Sequence, residues 1–339
     1  MMASPTGLPD AAPRSSLPGS PRLGGLTTAA GETWEAFRLT LGPRWEVVRR
    51  DLVLCYACLA GGLLAHAALV IEAGNWIGLA AAPLAGAWIG YWMQALIGCF
   101  LHEAAHFNLH PDKARNDWLA SWLLCPLIGE EIGHYRAMHW QHHLHLGDPD
   151  DTEVSYRSAP TPRFLVEALT GVNVLRRLRA RRSGVDRPAL AGTEGRLGAG
   201  PPLCAAVLHA AILAAALLAG LFSTAFAWCI GVGMVYPFLN TMRQLLEHRA
   251  LDAPLDADFT RVAHGPVNRL FGSDPISRTF GAAGFNRHLL HHWHPPASYT
   301  QFDALEAFLL QTPLRPALDA ARTTYWATWR ALARAARAA

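Results

Sequence analysis

The chain has 339 residues, of which 51% are hydrophobic and 16% are charged. Soluble domains carry about 25% charged residues, so this shortfall indicates a membrane protein, as does a mean hydropathy of +0.14. The formal net charge of +3 is too small to indicate nucleic-acid binding, so no nucleic-acid partner is expected.

The first part of the chain precedes any long apolar segment. Residues 1–30 are rich in Pro, Gly, Ser and Ala and lack the apolar core of a signal peptide, so they predict a disordered N-terminal tail. In residues 31–50 the apolar positions recur three or four apart, at Trp34, Phe37, Leu41, Trp45 and Val48. With arginines between them, they predict an amphipathic helix on the membrane surface, the alternative being an amphipathic helix of a protein core.

Four segments are apolar for about 20 residues, the length that crosses the hydrocarbon core of a bilayer. They are residues 52–73, 76–101, 203–222 and 225–246. Very short links join the first to the second and the third to the fourth, so the spans are expected to form two hairpins. A further apolar stretch at 118–129 is too short to span and is expected to pack on the membrane or dip into it.

The positive charges predict the orientation of these hairpins. Arg44, Arg49 and Arg50 precede the first span, and further arginines crowd the segment between the hairpins and the C-terminal tail. The links within the hairpins contain no Lys or Arg. By the positive-inside rule, the termini and the central segment are expected to be cytoplasmic. We expect the membrane to be a bacterial inner membrane.

Histidines gather in three short boxes, all on the predicted cytoplasmic side. The first is HEAAH at 102–106, the second is HWQHH at 139–143 and the third is HLLHH at 288–292. In a helix, positions i, i+3 and i+4 lie on one face, so the imidazoles of each box are expected to point the same way. His248, at the end of the fourth span, is a ninth candidate.

Imidazole binds iron, zinc, copper and nickel, and eight or nine imidazoles exceed the ligands of one structural zinc ion. Two metal ions with four or five nitrogens each would use the whole set. Iron is favoured because such sites can leave positions open for oxygen, although the spacing does not exclude zinc. His66 and His209 lie within spans and are expected to be hydrogen-bonded packing residues rather than ligands.

The three boxes and the two hairpins resemble the membrane-bound fatty acid desaturase superfamily over residues 45–312. This superfamily includes acyl desaturases, hydroxylases of alkanes and fatty acids, and hydroxylases and ketolases of carotenoids. The resemblance implies a centre of two non-haem iron ions (Fe²⁺/Fe³⁺) that activates O₂ and is reduced by an external electron donor. It also implies the metal ligands, which are His102, His106, His139, His142, His143, His248, His288, His291 and His292.

Further details of the resemblance concern the type of enzyme. Residues 135–139 and 147–152 resemble the stretches that bracket the second box in desaturases. The three-residue gap in the first box resembles acyl-lipid desaturases, and the third box does not begin with the Gln of front-end desaturases. No cytochrome b5 domain is evident, so the resemblance implies a separate electron donor such as a ferredoxin.

The expected architecture is all-α, with four transmembrane helices in two hairpins and a cytoplasmic helical cap that carries a histidine-rich site for two metals. Residues 51–315 form the expected desaturase-like membrane domain, and residues 316–339 form a C-terminal helix rich in Arg and Ala. An apolar tunnel is expected to lead to the metals.

The leading expected activity is desaturation of a fatty acyl chain linked to a membrane lipid, to CoA or to a carrier protein. The alternative is hydroxylation or oxygenation of a lipid, a carotenoid or another apolar substrate at the same centre. A more distant alternative is an intramembrane zinc protease, because His102, Glu103 and His106 also match its HExxH motif. The protease leaves the other two boxes unexplained, and a non-catalytic membrane receptor explains the boxes still less well.

Overall fold

The computed structural model describes residues 17–172, 199–281 and 284–338, and these residues are mostly helical. The α-helices are Trp34–Phe37, Trp45–Ala73, Asn75–Gln94, His102–Ala105, Lys113–Leu119, Ile132–His145, Pro162–Leu169, Gly200–Leu218, Phe222–Ile230, Tyr236–His248, Pro275–Phe280, His288–Trp293, Phe302–Leu309, Arg315–Ala321 and Tyr325–Ala338. Two strands of two residues each, β1 (Leu270–Phe271) and β2 (Arg322–Thr323), pair in parallel. The all-α class predicted from the sequence is confirmed.

Shorter helical turns of other types interrupt or extend these helices. The π-helical turns are Ala95–Leu101, Ala120–Leu124 and Gly231–Val235. The 3₁₀-helical turns are Arg38–Thr40, Cys125–Leu127, Ser155–Arg157, Phe285–Arg287 and Tyr299–Gln301. Two of the π-helical turns lie inside the second and fourth spans, and the first of them directly precedes His102.

Four helical segments are long and apolar enough to cross a membrane, namely Trp45–Ala73, Asn75–Ala105, Gly200–Leu218 and Phe222–His248. They confirm the four predicted spans and both hairpins, the first of which turns at Gly74 and the second at residues 219–221. Large apolar side chains such as Leu64, Trp76 and Leu203 stay exposed along them. An apolar surface of this extent suits lipid rather than water. The chain is therefore a membrane protein.

The second span lies at the centre of the four. Of its apolar stretch 67% is buried, against 6% for the third span. It packs closely on the fourth span at glycine positions, because a Cβ on Gly90 would lie 2.5 Å from Val235 and 2.8 Å from the Gly231 carbonyl oxygen. A Cβ on Gly86 would likewise collide with Ile230. Such small residues let helix backbones approach each other, which is a main source of helix association in lipid.

His66 joins three of the spans. Its Nδ1 lies 3.0 Å from Thr224 Oγ1, and its Nε2 lies 3.0 Å from the Gly78 carbonyl oxygen. Both ring nitrogens are therefore hydrogen-bonded within the bundle, as expected for a packing residue. His209 is placed in the same way, with its Nε2 3.0 Å from the Leu127 carbonyl oxygen.

The apolar stretch at 118–129 does not cross the membrane. It is divided between the end of helix Lys113–Leu119, the turn Ala120–Leu124 and the turn Cys125–Leu127. Trp118 and Trp122 are exposed on it. Exposed tryptophans are typical of the level where a membrane meets water, so the segment is placed to pack on the membrane surface.

Residues 17–30 do not form the disordered tail predicted for 1–30. Ser20 Oγ donates a hydrogen bond of 2.8 Å to the His292 carbonyl oxygen, and Leu23 is buried in one cluster with Trp34 and Trp293. The prediction was wrong here because composition cannot reveal an apolar partner more than 250 residues away. Residues 1–16 lie outside the described residues.

The single amphipathic helix predicted at 31–50 is interrupted. Helix Trp34–Phe37 and the turn Arg38–Thr40 are followed by a break, and Trp45 already begins the first span. Pro43 lies in that break, and a proline disfavours helix in the residue before it. Trp34 and Phe37 are buried against Phe308, so the alternative of a protein-core segment is correct for them.

The C-terminal region also differs from one continuous helix at 316–339. Helix Arg315–Ala321 ends at β2, and helix Tyr325–Ala338 follows. The interruption occurs where β2 pairs with β1, a contact between residues about 50 positions apart in sequence. Most of the arginines between the two hairpins, at positions 176–196, lie outside the described residues.

Candidate metal centre

The nine histidines predicted as ligands are all buried and lie together in two groups. The five-histidine group is His102, His106, His139, His143 and His291. The four-histidine group is His142, His248, His288 and His292. Each ring contributes one nitrogen to its group, and within each group these nitrogens lie within 4.8 Å of one another. The groups are neighbours, because the ring centroids of His143 and His292 are 4.6 Å apart.

The second and third boxes each contribute to both groups. On helix Ile132–His145, His139 and His143 point into the five-histidine group and His142 points into the other. The expectation that all imidazoles of a box point the same way is therefore wrong in detail. Positions i and i+4 differ by about 40° around a helix of 3.6 residues per turn, whereas i+3 is turned about 60° the other way. The third box divides in the same manner, with His291 separated from His288 and His292.

The first box is carried by the end of the second span. The π-helical turn Ala95–Leu101 immediately precedes His102, and such wider turns recur at functional sites in helices. His102 Nε2 lies 2.9 Å from His291 Nε2, and His106 Nε2 lies 2.8 Å from His139 Nε2. The first box therefore meets both the second and the third box in the five-histidine group.

The remaining spacings between Nε2 atoms are similar. His143 lies 3.0 Å from His139 and 2.8 Å from His291. In the four-histidine group, His288 lies 3.1 Å from His248 and 3.0 Å from His292. Nitrogens that each bind one ion at about 2.1 Å are about 3 Å apart when they are adjacent ligands. The arrangement within each group therefore fits a metal ion.

Hydrogen bonds at Nδ1 set the tautomer of two of these rings. His142 Nδ1 lies 2.8 Å from Asp151 Oδ1, and His248 Nδ1 lies 2.8 Å from the Val267 carbonyl oxygen. Carbonyl and carboxylate oxygens only accept, so in the neutral ring Nδ1 carries the proton and Nε2 presents its lone pair. His142 Nε2 has no hydrogen-bond partner among the described residues. A buried lone pair without a partner is what a metal ion would satisfy.

The electrostatics of the boxes also fit a cation. Burial lowers the pKa of His106 to about 3 and that of five other box histidines well below the usual imidazole value, so these rings are neutral. His142 differs, since burial lowers its pKa but the Asp151 and Glu153 carboxylates outweigh burial and raise it to about 9. Neutral imidazole is the form that binds metal, and the surroundings of His142 favour positive charge.

Residues outside the boxes hold the first box in place. Arg136 donates from Nε to the Ala105 carbonyl oxygen at 3.0 Å and from NH2 to the Ala104 carbonyl oxygen at 3.1 Å. Asn116 donates to the same Ala104 oxygen at 3.0 Å. These bonds satisfy the carbonyls at the end of the helix that carries His102, and they attach it to the helix of the second box.

Asp151 has a similar role for the second box. Besides binding His142, it accepts a hydrogen bond of 2.6 Å from the Tyr156 hydroxyl and one of 2.8 Å from the Glu153 amide. The sequence singled out the stretch at 147–152 only by its resemblance to desaturases. The stretch at 135–139, which contains Arg136, was singled out in the same way. No role was predicted for Arg136, Asn116 or Tyr156, because nothing local shows which helix end an arginine or asparagine will cap.

Glu103 does not occupy the position of a protease base. Its Oε2 accepts a hydrogen bond of 3.4 Å from the Tyr299 amide. The flanking His102 and His106 belong to the five-histidine group rather than to a site with one metal and three protein ligands. The geometry thus gives no support to the zinc-protease alternative.

A small cavity borders both groups. It is lined by Cys99, His102, Glu103, Gly284, Phe285, His288, His291, Tyr299 and Phe302. Aromatic and apolar side chains form part of its wall next to histidines of both groups. The longer apolar tunnel expected from the sequence stays a prediction.

The other histidines near the boxes lie outside both groups. His134 pairs with Glu130 at 2.7 Å, and the His294 ring packs edge-on against Trp34 at 5.0 Å between centroids. The His264 Nε2 accepts a hydrogen bond of 3.2 Å from the Ala250 amide. Each of these three rings thus has a partner outside the two groups.

Four membrane spans and two neighbouring groups of buried imidazoles define a class of membrane protein with a histidine-rich site that could hold metal. In a comparison with known families, residues 75–329 match the fatty acid desaturase family, which is well over half of the chain. The chain therefore belongs to the fatty acid desaturase family, and it is an oxidoreductase of the desaturase and hydroxylase type. The curated proteins include no significant match to the sequence.

Proposed function

We propose that this protein is an O₂-dependent oxidoreductase with two non-haem iron ions that introduces a C=C bond into a fatty acyl chain. The observation that carries the proposal is the pair of adjacent buried histidine groups, five and four imidazoles, in a chain of the fatty acid desaturase family. The proposed ligands are the nine histidines of these groups. Imidazole also suits zinc, and iron is proposed because the reaction of the family is an oxidation.

Bound iron would supply the activation of O₂ and the electron transfer that breaking an unactivated C–H bond requires. The residues of the chain prepare the site for it. Asp151 and the Val267 carbonyl fix the rings of His142 and His248, so that their Nε2 atoms need no rearrangement. Burial of all nine imidazoles excludes water. Phe285 and Tyr299 offer apolar walls against which an acyl chain could pack beside His102 and His288.

The proposal extends to the partners and the location of the protein. The substrate would be an acyl group linked to a lipid, to CoA or to a carrier protein, and electrons would come from a separate protein such as a ferredoxin. We place the termini and the histidine groups on the cytoplasmic side of a bacterial inner membrane. The arginine distribution in the sequence supports this orientation.

Two measurements on the purified protein test the proposal. Elemental analysis should find about two irons per chain, since the nine imidazoles make two groups. The protein, with ferredoxin, its reductase and O₂, should convert a saturated acyl substrate into a product that has lost two hydrogens, as seen by mass spectrometry. A product with one added oxygen would replace the desaturase by the hydroxylase alternative. A single zinc ion and no oxidation would refute both.

A further inference from the structure

The two histidine groups differ in their number of nitrogen ligands, and carboxylate side chains border the smaller group. The five-histidine group offers one more nitrogen than the four-histidine group. If both hold the same kind of ion, the ion in the four-histidine group has one position to be filled by another atom. Two glutamates, Glu153 and Glu247, have carboxylate oxygens next to this group.

Glu247 is the nearer of the two. It is fully buried, and its Oε2 lies 3.5 Å from His288 Nε2. The neighbouring histidine nitrogens of the group lie 3.0 and 3.1 Å from the same His288 atom, so the carboxylate is at nearly the spacing of a further ligand. Its Oε1 is buried with no hydrogen-bond partner among the described residues. An oxygen in this state costs stability unless a ligand satisfies it.

Arg243 holds Glu247 beside the group. These residues are four apart on helix Tyr236–His248, and Arg243 NH1 donates to Glu247 Oε2 at 2.7 Å. The guanidinium also lies over the Phe285 ring, 4.4 Å from its centroid, which restricts its movement. The carboxylate is thus oriented before any ion binds.

Carboxylates lie around this place. Asp151, Glu153 and Glu247 border the four-histidine group, and Arg243 pairs with the two glutamates. Arg269, which is also buried, donates to the Glu247 backbone carbonyl oxygen instead. Carboxylate oxygens are ligands that suit a hard cation.

We propose that Glu247 is the tenth metal ligand of the protein and supplies an oxygen to the ion in the four-histidine group. This inference rests on the proposed function, that is, on metal ions in both groups. One ion would then have five nitrogen ligands, and the other four nitrogens and one oxygen. A carboxylate is a harder, negatively charged ligand, so the four-histidine group would hold a hard or highly charged ion more firmly than the five-histidine group does.

The test compares metal binding of three variants of the full-length protein, freed of metal and titrated with Co²⁺. Glu247→Gln is expected to weaken one of the two sites by roughly 10–100-fold and to change its visible absorption, while the second site is unchanged. Glu153→Gln tests the competing carboxylate, since its Oε2 lies 3.9 Å from His142 Nε2, and it should weaken the site less than Glu247→Gln does. Glu130→Gln is the control away from the group, as Glu130 pairs with His134. This control should keep two sites of wild-type affinity.

Glu247→Gln leaves Arg243 buried without its partner, which could prevent folding. The double variant Arg243→Gln with Glu247→Gln removes both charges and gives the same readout. An experimental structure of the wild-type protein loaded with Co²⁺ provides a measurement without any variant, and a Glu247 oxygen is expected at bonding distance from the ion in the four-histidine group.

The outcomes separate this inference from the proposed function. Two unchanged sites in Glu247→Gln, or a Glu247 carboxylate away from the ion of the four-histidine group in the loaded wild type, would overturn the role of Glu247. Loss of a site in Glu153→Gln instead would overturn it as well, by assigning the oxygen to Glu153. Failure of the wild-type protein to bind two ions would refute the two-metal centre itself.

Discussion

At the residue scale, the contacts of Nδ1 decide how well each imidazole can serve as a ligand. His142 has the most developed support, because Asp151 accepts from its Nδ1 while Tyr156 and the Glu153 amide hold the carboxylate. Such outer contacts fix the ring and raise its basicity. The HWQHH pattern indicates the three imidazoles but contains no information about these acceptors.

Replacing Asp151 with Ala should weaken metal binding by about 10–100-fold, because His142 loses its orientation and its preferred tautomer. Competition with a chelator measures the change. Asp150→Ala is the control, since Asp150 is an exposed neighbour on the same turn, and its affinity should equal that of the wild type. Equal affinities in both variants would show that Asp151 does not support the site.

Replacing His291 with Ala should remove the ion of the five-histidine group and abolish substrate oxidation, because His291 Nε2 lies within 3.0 Å of both His102 and His143 Nε2. His66→Ala is the comparison. It should keep the full metal content and lose about 1–3 kcal/mol of stability, since Thr224 and Gly78 lose a buried partner. Metal analysis and thermal unfolding in detergent distinguish the two. Retained oxidation in His291→Ala would contradict the proposed ligand set.

At the scale of helices, the contact between the second and fourth spans positions the first box and His248. The backbones approach closely at Gly86, Gly90 and Gly231. Each span contains a π-helical turn, which lies directly before His102 in the second span and at the contact itself in the fourth. The wider turns change which face of the helix meets the neighbour. A substitution at these glycines is therefore expected to displace histidines of both groups.

Gly90→Ala should destabilise the protein by roughly 1–3 kcal/mol, because the added Cβ would press on Val235 and on the Gly231 carbonyl. Gly61→Ala is the matched control, as Gly61 also lies in a span and has open space where a Cβ would be. That variant should be neutral or slightly more stable, since Ala favours helix over Gly. Thermal unfolding in detergent provides the test, and equal stability of both variants would argue against close packing.

At the scale of the whole molecule, segments from both ends of the chain pack around the histidine boxes. Residues 17–30 contact the third box, and β1 pairs with β2 near the C-terminus. The boxes are thus enclosed by contacts between distant parts of the sequence. The end of the bundle that carries them is proposed to face the cytoplasm.

An epitope tag inserted at Gly220, in the short link of the second hairpin, should be reached by antibody on cells whose outer membrane has been opened. Gly220 is exposed and its φ of +74° marks a turn outside the helices. A tag at the C-terminus should be reached only after the inner membrane is opened, because the positive-inside rule places it in the cytoplasm. The reverse labelling would overturn the proposed orientation.

The sequence by itself determined the class of the fold, the spans and the inventory of the site. Apolar runs of about 20 residues predict membrane helices because the bilayer imposes that length, whatever the rest of the chain does. The nine histidines could be named because their spacing in the boxes, and the position of His248, follow from helix geometry and from the family resemblance. The family itself was predicted from the same motifs and is confirmed.

Only the tertiary structure decided how these histidines are shared and supported. His102 meets His291 across 189 positions of sequence, and His142 separates from His139 and His143 although all three belong to one box. The order of residues 17–30 and the position of Glu247 beside His288 depend on contacts of the same kind. Local patterns reveal which residues can bind metal, whereas their partners are set by packing between elements that are far apart in sequence.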